Sequence, residues 1–553
     1  MNTERLRSRL ERYSVPVDGP FVWVVLFIFL MGLATASPSS AQTNTPLSVE
    51  PDQQDNAVPA TFFATSAVGG NYPKVMIGTL AHQEFAWGRI EKSRGSFDFS
   101  LFDGYVAAAQ QHGLVDSATN TANLAITLAA GTPAWAASSC SPGAACTVPP
   151  DNIQDWKDFV TALVQHYNGK ALPHIKYYEL WNEFNVSLWW TGTDSDLVAL
   201  AQAAYPIIHQ DPYSMLLTPS VAGRAAITPS AGGDAGAMAA YLQAGGFQYA
   251  DGGAFHGYPA PPKDISPFPM PEDDSTAGCN CFYGSIVTKA TQMREVFDQN
   301  GLSGKPMYQT EGSWGNDTVT VSDTQVAWVA RYNLLQAGLR STMNLQMAAW
   351  FTWANPSFGW GNIADSSLNP TAAGIAYSQV YNWVVGAAID SPCASAADGT
   401  WTCNLTRPGG YKAVAVWNTQ GAAQFTPAAG YKQYRDLAGT TVPITPGAAV
   451  SIGAKPILVE FIPDTLAIEL AKQKASGKLI VYATSTDASA TLSIKAFPLL
   501  PMPNQPSIDL GAMAKTSPTG NEFFIIKKDL GPIVSVQISS SSGGSVTGTV
   551  KGH

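Results

Sequence analysis

Charge is scarce in this chain of 553 residues. Asp, Glu, Lys and Arg supply 13% of it, about half the roughly 25% usual in soluble domains. What charge there is leans acidic, with 41 Asp and Glu against 31 Lys and Arg and a formal net charge of -10. That balance excludes the basic footprint of a nucleic-acid or anionic-lipid binder, so the expected partner is neutral. Histidine is scarce as well, seven in all, and none stands at metal-ligand spacing near a cysteine; neither a metal nor a cofactor is expected. Long apolar runs are also missing. The unbroken run 21–34 has 14 residues, short of the ~20 that span a bilayer, and no later segment is a candidate. Arg5, Arg7, Arg9 and Arg12 precede that run and Ser39-Ser40-Ala41 follow it, the order of a secretory signal. Residues 1–41 are read as a signal peptide cut near Ala41, leaving an extracellular or periplasmic chain without a membrane span. The six cysteines fall in three local pairs, and in an exported chain an even count reads as disulfides. Cys140 with Cys146 and Cys393 with Cys403 close short loops; Cys279 and Cys281 would form a very tight ring.

Apolar β-like runs that alternate with amphipathic stretches are present in quantity. After a polar, proline-bearing linker at 42–60, eight candidate strands follow: 61–67, 75–82, 122–131, 175–183, 215–222, 252–258, 305–312 and 345–353. Eight parallel strands with intervening helices close a (β/α)8 barrel, here residues 61–388. Helices are expected from Asp151, from Asp194 or Ser195, and over 322–340, whereas the connection 69–74 between the first two strands is too short for one. From about residue 389 short strands separated by Gly and Pro predict a small antiparallel β-sandwich over 389–464. A helix over 465–474 then opens a further β-rich unit, 465–553.

Two of the strands end alike. Lys176-Tyr177-Tyr178-Glu179-Leu180-Trp181-Asn182-Glu183 and Lys305-Pro306-Met307-Tyr308-Gln309-Thr310-Glu311-Gly312 each deliver a glutamate at the point where a barrel strand reaches its mouth. Strands four and seven of a parallel barrel end on one face, so Glu183 and Glu311 can oppose each other across one cleft. Cleavage between sugars requires one carboxyl to protonate the departing oxygen and a second to attack or to activate water. Chain order does not say which is which. Asn182 could hold a sugar hydroxyl. Glu179, an even number of positions before Glu183, reads as a buried structural carboxylate. Trp189, Trp190, Trp314 and Trp360, on mouth-side loops, suit stacking on sugar faces. The acceptor patterns at Asn185, Asn316 and Asn404 are read as chance, because nothing in the sequence identifies a glycosylating host; a glycan on Asn185 would moreover block the cleft.

Tyr178-Glu179-Leu180-Trp181-Asn182-Glu183, Phe255-His256-Gly257-Tyr258, Thr310-Glu311-Gly312 and Trp350-Phe351-Thr352-Trp353 together resemble the clan A glycoside hydrolases. Gly95-Ser96-Phe97-Asp98-Phe99 and Trp190-Thr191-Gly192-Thr193, with the terminal sheet, make family 39 and its cellulase-like relatives the most similar. The resemblance covers roughly residues 60–462. It implies a retaining mechanism with Glu183 as acid/base and Glu311 as nucleophile, His256 and Tyr258 lining the catalytic subsite, and Trp350 or Trp353 as its floor. Relatives usually carry an arginine at the end of strand two; here Ala81 stands there, followed by His82, and His82 or Arg89 is the expected substitute. The implied substrate is a β-linked polysaccharide or oligosaccharide. The alternatives are an exo-acting β-xylosidase-like or arabinoside-releasing enzyme, and a non-catalytic carbohydrate-binding envelope protein.

Overall fold

The computed structural model describes residues 56–140, 146–223, 233–259, 270–274, 284–313, 323–355, 357, 361–499 and 506–552. The expected signal peptide, most of the expected linker, Trp314, Trp360, Cys279, Cys281 and most of the segment after the sixth strand lie outside the described residues. Among those described, no helix is long and apolar enough to cross a membrane.

Eight parallel strands form the barrel: β1 Phe63–Ser66, β2 Thr79–His82, β3 Thr121–Thr127, β4 His174–Glu179, β5 Met215–Leu217, β6 Gly253–His256, β7 Met307–Glu311 and β8 Leu345–Trp350. Neighbours in sequence are neighbours in the sheet, β1 pairs β8, and a bridge between Leu217 and Gly252 closes the ring between β5 and β6. Side chains alternate along a strand, so one set turns inward. Ala64, Ala81, Ala125, Tyr177, Leu217, Ala254, Tyr308, Met347 and Ala349 pack there as one cluster. Alanines on five strands make room for the Tyr177 and Tyr308 rings, 5.2 Å apart. The alternate set turns outward onto the helices.

Helices follow every strand except β1, as the short connection at 69–74 requires. The helix Ile153–His166 buries Trp156, Phe159, Val160 and Leu163 as the periodicity predicts. Its cap is Asn152 rather than Asp151: Asn152 accepts from Gln154 N, while Asp151 takes the Ser138 N–H. Thr193 and Asp196 form a reciprocal capping box at the start of Asp194–Ile208, which satisfies two of the free N–H groups at that end. Val58, expected in the linker, is buried, and residues 57 and 58 bridge to 388 and 385.

Beyond the barrel, antiparallel strands Thr400–Arg407, Tyr411–Asn418 and Ile457–Phe461 lead a six-stranded sheet. The disulfides Cys140–Cys146 and Cys393–Cys403 are formed. A buried ion pair within the barrel hydrogen-bonds to this unit. Arg331, from the helix Asp323–Met343, donates to Glu272 Oε1 at 2.9 Å and to the carbonyl of Ala454 at 2.8 Å, and Trp417 Nε1 donates to the same Glu272 oxygen at 3.1 Å. The terminal unit is two four-stranded sheets around Leu479, Val481, Ile494, Val536 and Ile538. Its first element is a strand, Leu466–Gln473, not the expected helix. Residues of high helix propensity fill that run, but pairing along the strand Leu479–Ser485 overrides them.

Candidate active site

The inward set continues past the barrel interior to the mouth. Two positions after Tyr177, Ala254 and Tyr308 come Glu179, His256 and Thr310 on the same face. In the β6–β7 pair the register then shifts by one, so that Glu311 stands opposite His256. Glu183 arrives differently, four residues beyond the end of β4. Its φ is +41°, a left-handed conformation that costs a non-glycine residue about 1–3 kcal/mol. The surrounding turn is pinned to the segment after β5. Ser220 N donates to the Trp181 carbonyl at 2.9 Å, Glu183 N donates to Ser220 Oγ at 3.1 Å, and the Asn185 amide makes two bonds with Ala222 backbone, at 2.8 and 3.1 Å. Asn185 is therefore committed to the turn and buried, which closes it to glycosylation.

The result is a convergence of acids on one imidazole. His256 Nδ1 lies 2.9 Å from Glu183 Oε1 and 3.3 Å from Glu311 Oε2, so a single N–H faces two acceptors. Its Nε2 is 4.0 Å from Glu179 Oε1. One oxygen of Glu183, one of Glu311 and a His256 nitrogen all lie within 4.8 Å of one another. Tyr258 donates to Glu311 Oε1 in a short hydrogen bond, and Trp189 Nε1 donates to Glu183 Oε2 at 3.1 Å. Glycines allow this packing: a Cβ on Gly312 or Gly257 would press on the Tyr332 hydroxyl and on Gln309.

The electrostatics follow from burial and crowding. Burial by itself disfavours the His256 imidazolium, but Glu311, Glu183 and Glu179 outweigh it and hold the ring's pKa up at about 9. Burial pushes Glu311 up to about 7; His256 opposes that rise, Glu183 adds to it, and the Tyr258 hydrogen bond opposes it. Glu179 is also raised by burial, against His256 and its hydrogen-bond donors. Burial, then Glu311, keep the Tyr258 phenol protonated far above its ordinary range.

Glu183, Glu311, His256 and Tyr258 are thus brought together, with Asn182 buried next to Glu183 in the turn. Other expected site residues go elsewhere. Ala81 faces the barrel interior, so the adjacent His82 turns outward. There it stacks on Tyr105 at 3.7 Å and shares Nδ1 with the Ala67 carbonyl, and burial lowers its pKa to about 3. A neutral, outward ring does not stand in for the arginine, and Arg89 pairs instead with Glu84. Trp350, next to inward Ala349, packs between Trp328 and Tyr332. Trp350 and Trp353 are fully buried and Trp190 nearly so, against Trp181, so none of the three offers a sugar an open face. Among the described residues, Trp189 is a partly exposed tryptophan at the acids. Ser220 went unread because nothing local in Thr218-Pro219-Ser220 announces that it meets β4's turn.

No family model matches this chain, and no curated protein does. Solved structures that it resembles include a glucosidase from Croceicoccus marinus at 13% identity and TM-score 0.47, covering 88% of this chain and 96% of that one. A family 39 β-xylosidase from Caulobacter crescentus matches at 15% and 0.47, over 75% of this chain and 99% of its own. A family 39 enzyme from Xanthomonas axonopodis pv. citri matches at 14% and 0.47, over 73% and 94%. Likeness at this level transfers no residue role and no activity to the chain.

Proposed function

We propose that this chain is an exported glycoside hydrolase that cleaves β-type linkages in a polysaccharide or oligosaccharide with retention, Glu183 acting as acid/base and Glu311 as nucleophile. The observation that carries the reading is the approach of the two carboxylates to within 4.8 Å at the barrel mouth. Carboxyls about 5–5.5 Å apart suit a double displacement, whereas about 6.5–9.5 Å leaves room for an inverting water.

In the first step Glu311 attacks the anomeric carbon while Glu183 protonates the departing oxygen; in the second Glu183 takes a proton from water, which displaces Glu311. Glu311 must be ionised to attack, and His256 and Tyr258 favour that state. The imidazolium takes the place that the absent strand-two arginine would hold. Trp189 and His256 bracket the two oxygens of Glu183 and aim it. A metal-centred reading fits less well. His256 presents one nitrogen to both carboxylates at 2.9 and 3.3 Å, the arrangement of one N–H shared between two acceptors.

Exo action on xylosides or arabinosides is the alternative within the same chemistry, and a panel of aryl glycosides and polysaccharides separates the two. Glu183→Gln and Glu311→Gln test the chemistry itself. Each is expected to lose turnover by on the order of 10³-fold or more while keeping affinity for the sugar. A wild-type protein that binds glycans but turns over none of the panel would instead be a binding protein.

A further inference from the structure

Glu179 is a buried carboxylate that the two-step mechanism does not use. It sits behind the site, 2% exposed, and Ser220 Oγ donates to its Oε1 at 2.8 Å. The same Ser220 oxygen accepts the backbone N–H of Glu183 at 3.1 Å, so the Ser220 hydroxyl is a donor on one side and an acceptor on the other. Ser220 is itself fully buried, and its backbone N–H is tied to the carbonyl of Trp181. The residue at the end of this chain of bonds is the one with the left-handed backbone. A carboxylate that only needed burial could be paired anywhere in the core. This one is connected through a single hydroxyl to the peptide that aims the acid/base.

We infer that Glu179 and Ser220 are positioning residues: the relay Glu179 carboxylate–Ser220 hydroxyl–Glu183 N–H locks the Glu183 peptide in its left-handed conformation and so aims the Glu183 carboxyl at the scissile oxygen. The inference rests on the hydrolase reading for its kinetic consequence, but its structural consequence is independent of it. Orienting Ser220 is the work of Glu179. With a carboxylate acceptor in place the hydroxyl hydrogen is committed, and the oxygen lone pair is left to face Glu183 N–H. Without that carboxylate the acceptor left to the hydroxyl is the Trp181 carbonyl at 3.4 Å, a longer bond that holds the hydrogen less firmly. Neither Glu179 nor Ser220 reaches the open cleft, so neither contributes to ground-state sugar binding.

Ser220→Ala, Glu179→Met and the double variant test the relay. Each single variant is expected to lower kcat on the order of 10²-fold, the effect of misplacing a reacting group by about an ångström, with KM changed less than threefold. The double variant is expected to be no slower than the slower single one, because both break one chain. In a crystal structure of Ser220→Ala, residue 183 should leave the left-handed region or its carboxyl should move off His256 Nδ1. Single variants that keep more than half of wild-type kcat, multiplicative losses in the double variant, or an unmoved residue 183 would each overturn the relay. Should Ser220→Ala fail to fold, Glu179→Met carries both readouts. Absence of turnover in the wild type would sink the hydrolase reading instead, leaving the position of residue 183 in Ser220→Ala as the test of the lock.

Discussion

Tyr258 and His256 set the charge of Glu311 from two sides, and each should leave a signature in pH. As the proposed nucleophile Glu311 must be ionised to attack, and burial holds its pKa at about 7, so kcat/KM should fall on the acid side of that value. The Tyr258 hydrogen bond holds this pKa down; Tyr258→Phe should therefore move the acid limb to higher pH, read from a kcat/KM profile. His256 acts on stability as well. Its pKa is about 9 in the folded chain against an ordinary 6.5, so the folded state binds this proton more tightly than the unfolded chain. The resulting stabilisation is complete below pH 6.5 and is lost as pH rises through about 9. Glu311, also raised when folded, adds a decline at lower pH, between 4.5 and about 7. His256→Asn should remove the imidazolium's share of the decline between pH 6.5 and 9 and, because His256 holds the Glu311 pKa down, should carry the Glu311 decline to higher pH, both read from melting temperature against pH. Much of this corner was legible from the chain, because His256, Glu179 and Glu311 sit at strand ends, the first two at even spacing from inward residues. His82 was legible too, had the alternation been applied: a residue adjacent to the inward Ala81 has to face out.

At the scale of elements, strand number and order were plain in the sequence, since eight apolar runs bounded by turn residues leave little choice. Side-chain destinations were harder. Trp350 is at a strand end on the mouth side, yet it follows inward Ala349 and lies in the outer layer against Trp328. The strand Leu466–Gln473 defeats propensity, because cross-strand packing and not local preference decides its state. Gly312 shows how tightly β7 is seated. The strand end passes so close to the Asp323–Met343 helix that an added Cβ would overlap the Tyr332 hydroxyl, which donates to the Gly257 carbonyl at 2.7 Å. Gly312→Ala should cost about 1–3 kcal/mol by overpacking and should displace the preceding Glu311. Denaturant unfolding and kcat measured together check it; an unchanged midpoint with wild-type turnover would mean that this contact relaxes freely.

Over the whole molecule, the sandwich was legible as a change of rhythm near residue 389, but the buried ion pair on the barrel side that Trp417 and Ala454 contact was not. Arg331 lies in a helix whose other residues read as ordinary core, and Glu272 lies far away in the segment after β6. Only the folded chain brings them together, each nearly inaccessible to water. Arg331→Met should strand Glu272 as an uncompensated buried charge at a cost of about 3–5 kcal/mol, and adding Glu272→Gln should recover part of it. Equal stabilities for the single and double variants in chemical denaturation would show that Glu272 carries no uncompensated charge when Arg331 is removed. The proposal that the barrel presents two carboxylates to one sugar ring is tested most directly by mass spectrometry of the protein after a brief turnover of a slowly released glycoside. The expected result is one glycosyl residue carried on the peptide that contains Glu311, absent from Glu311→Gln. Turnover without such an adduct, with the product released in inverted configuration, would contradict it.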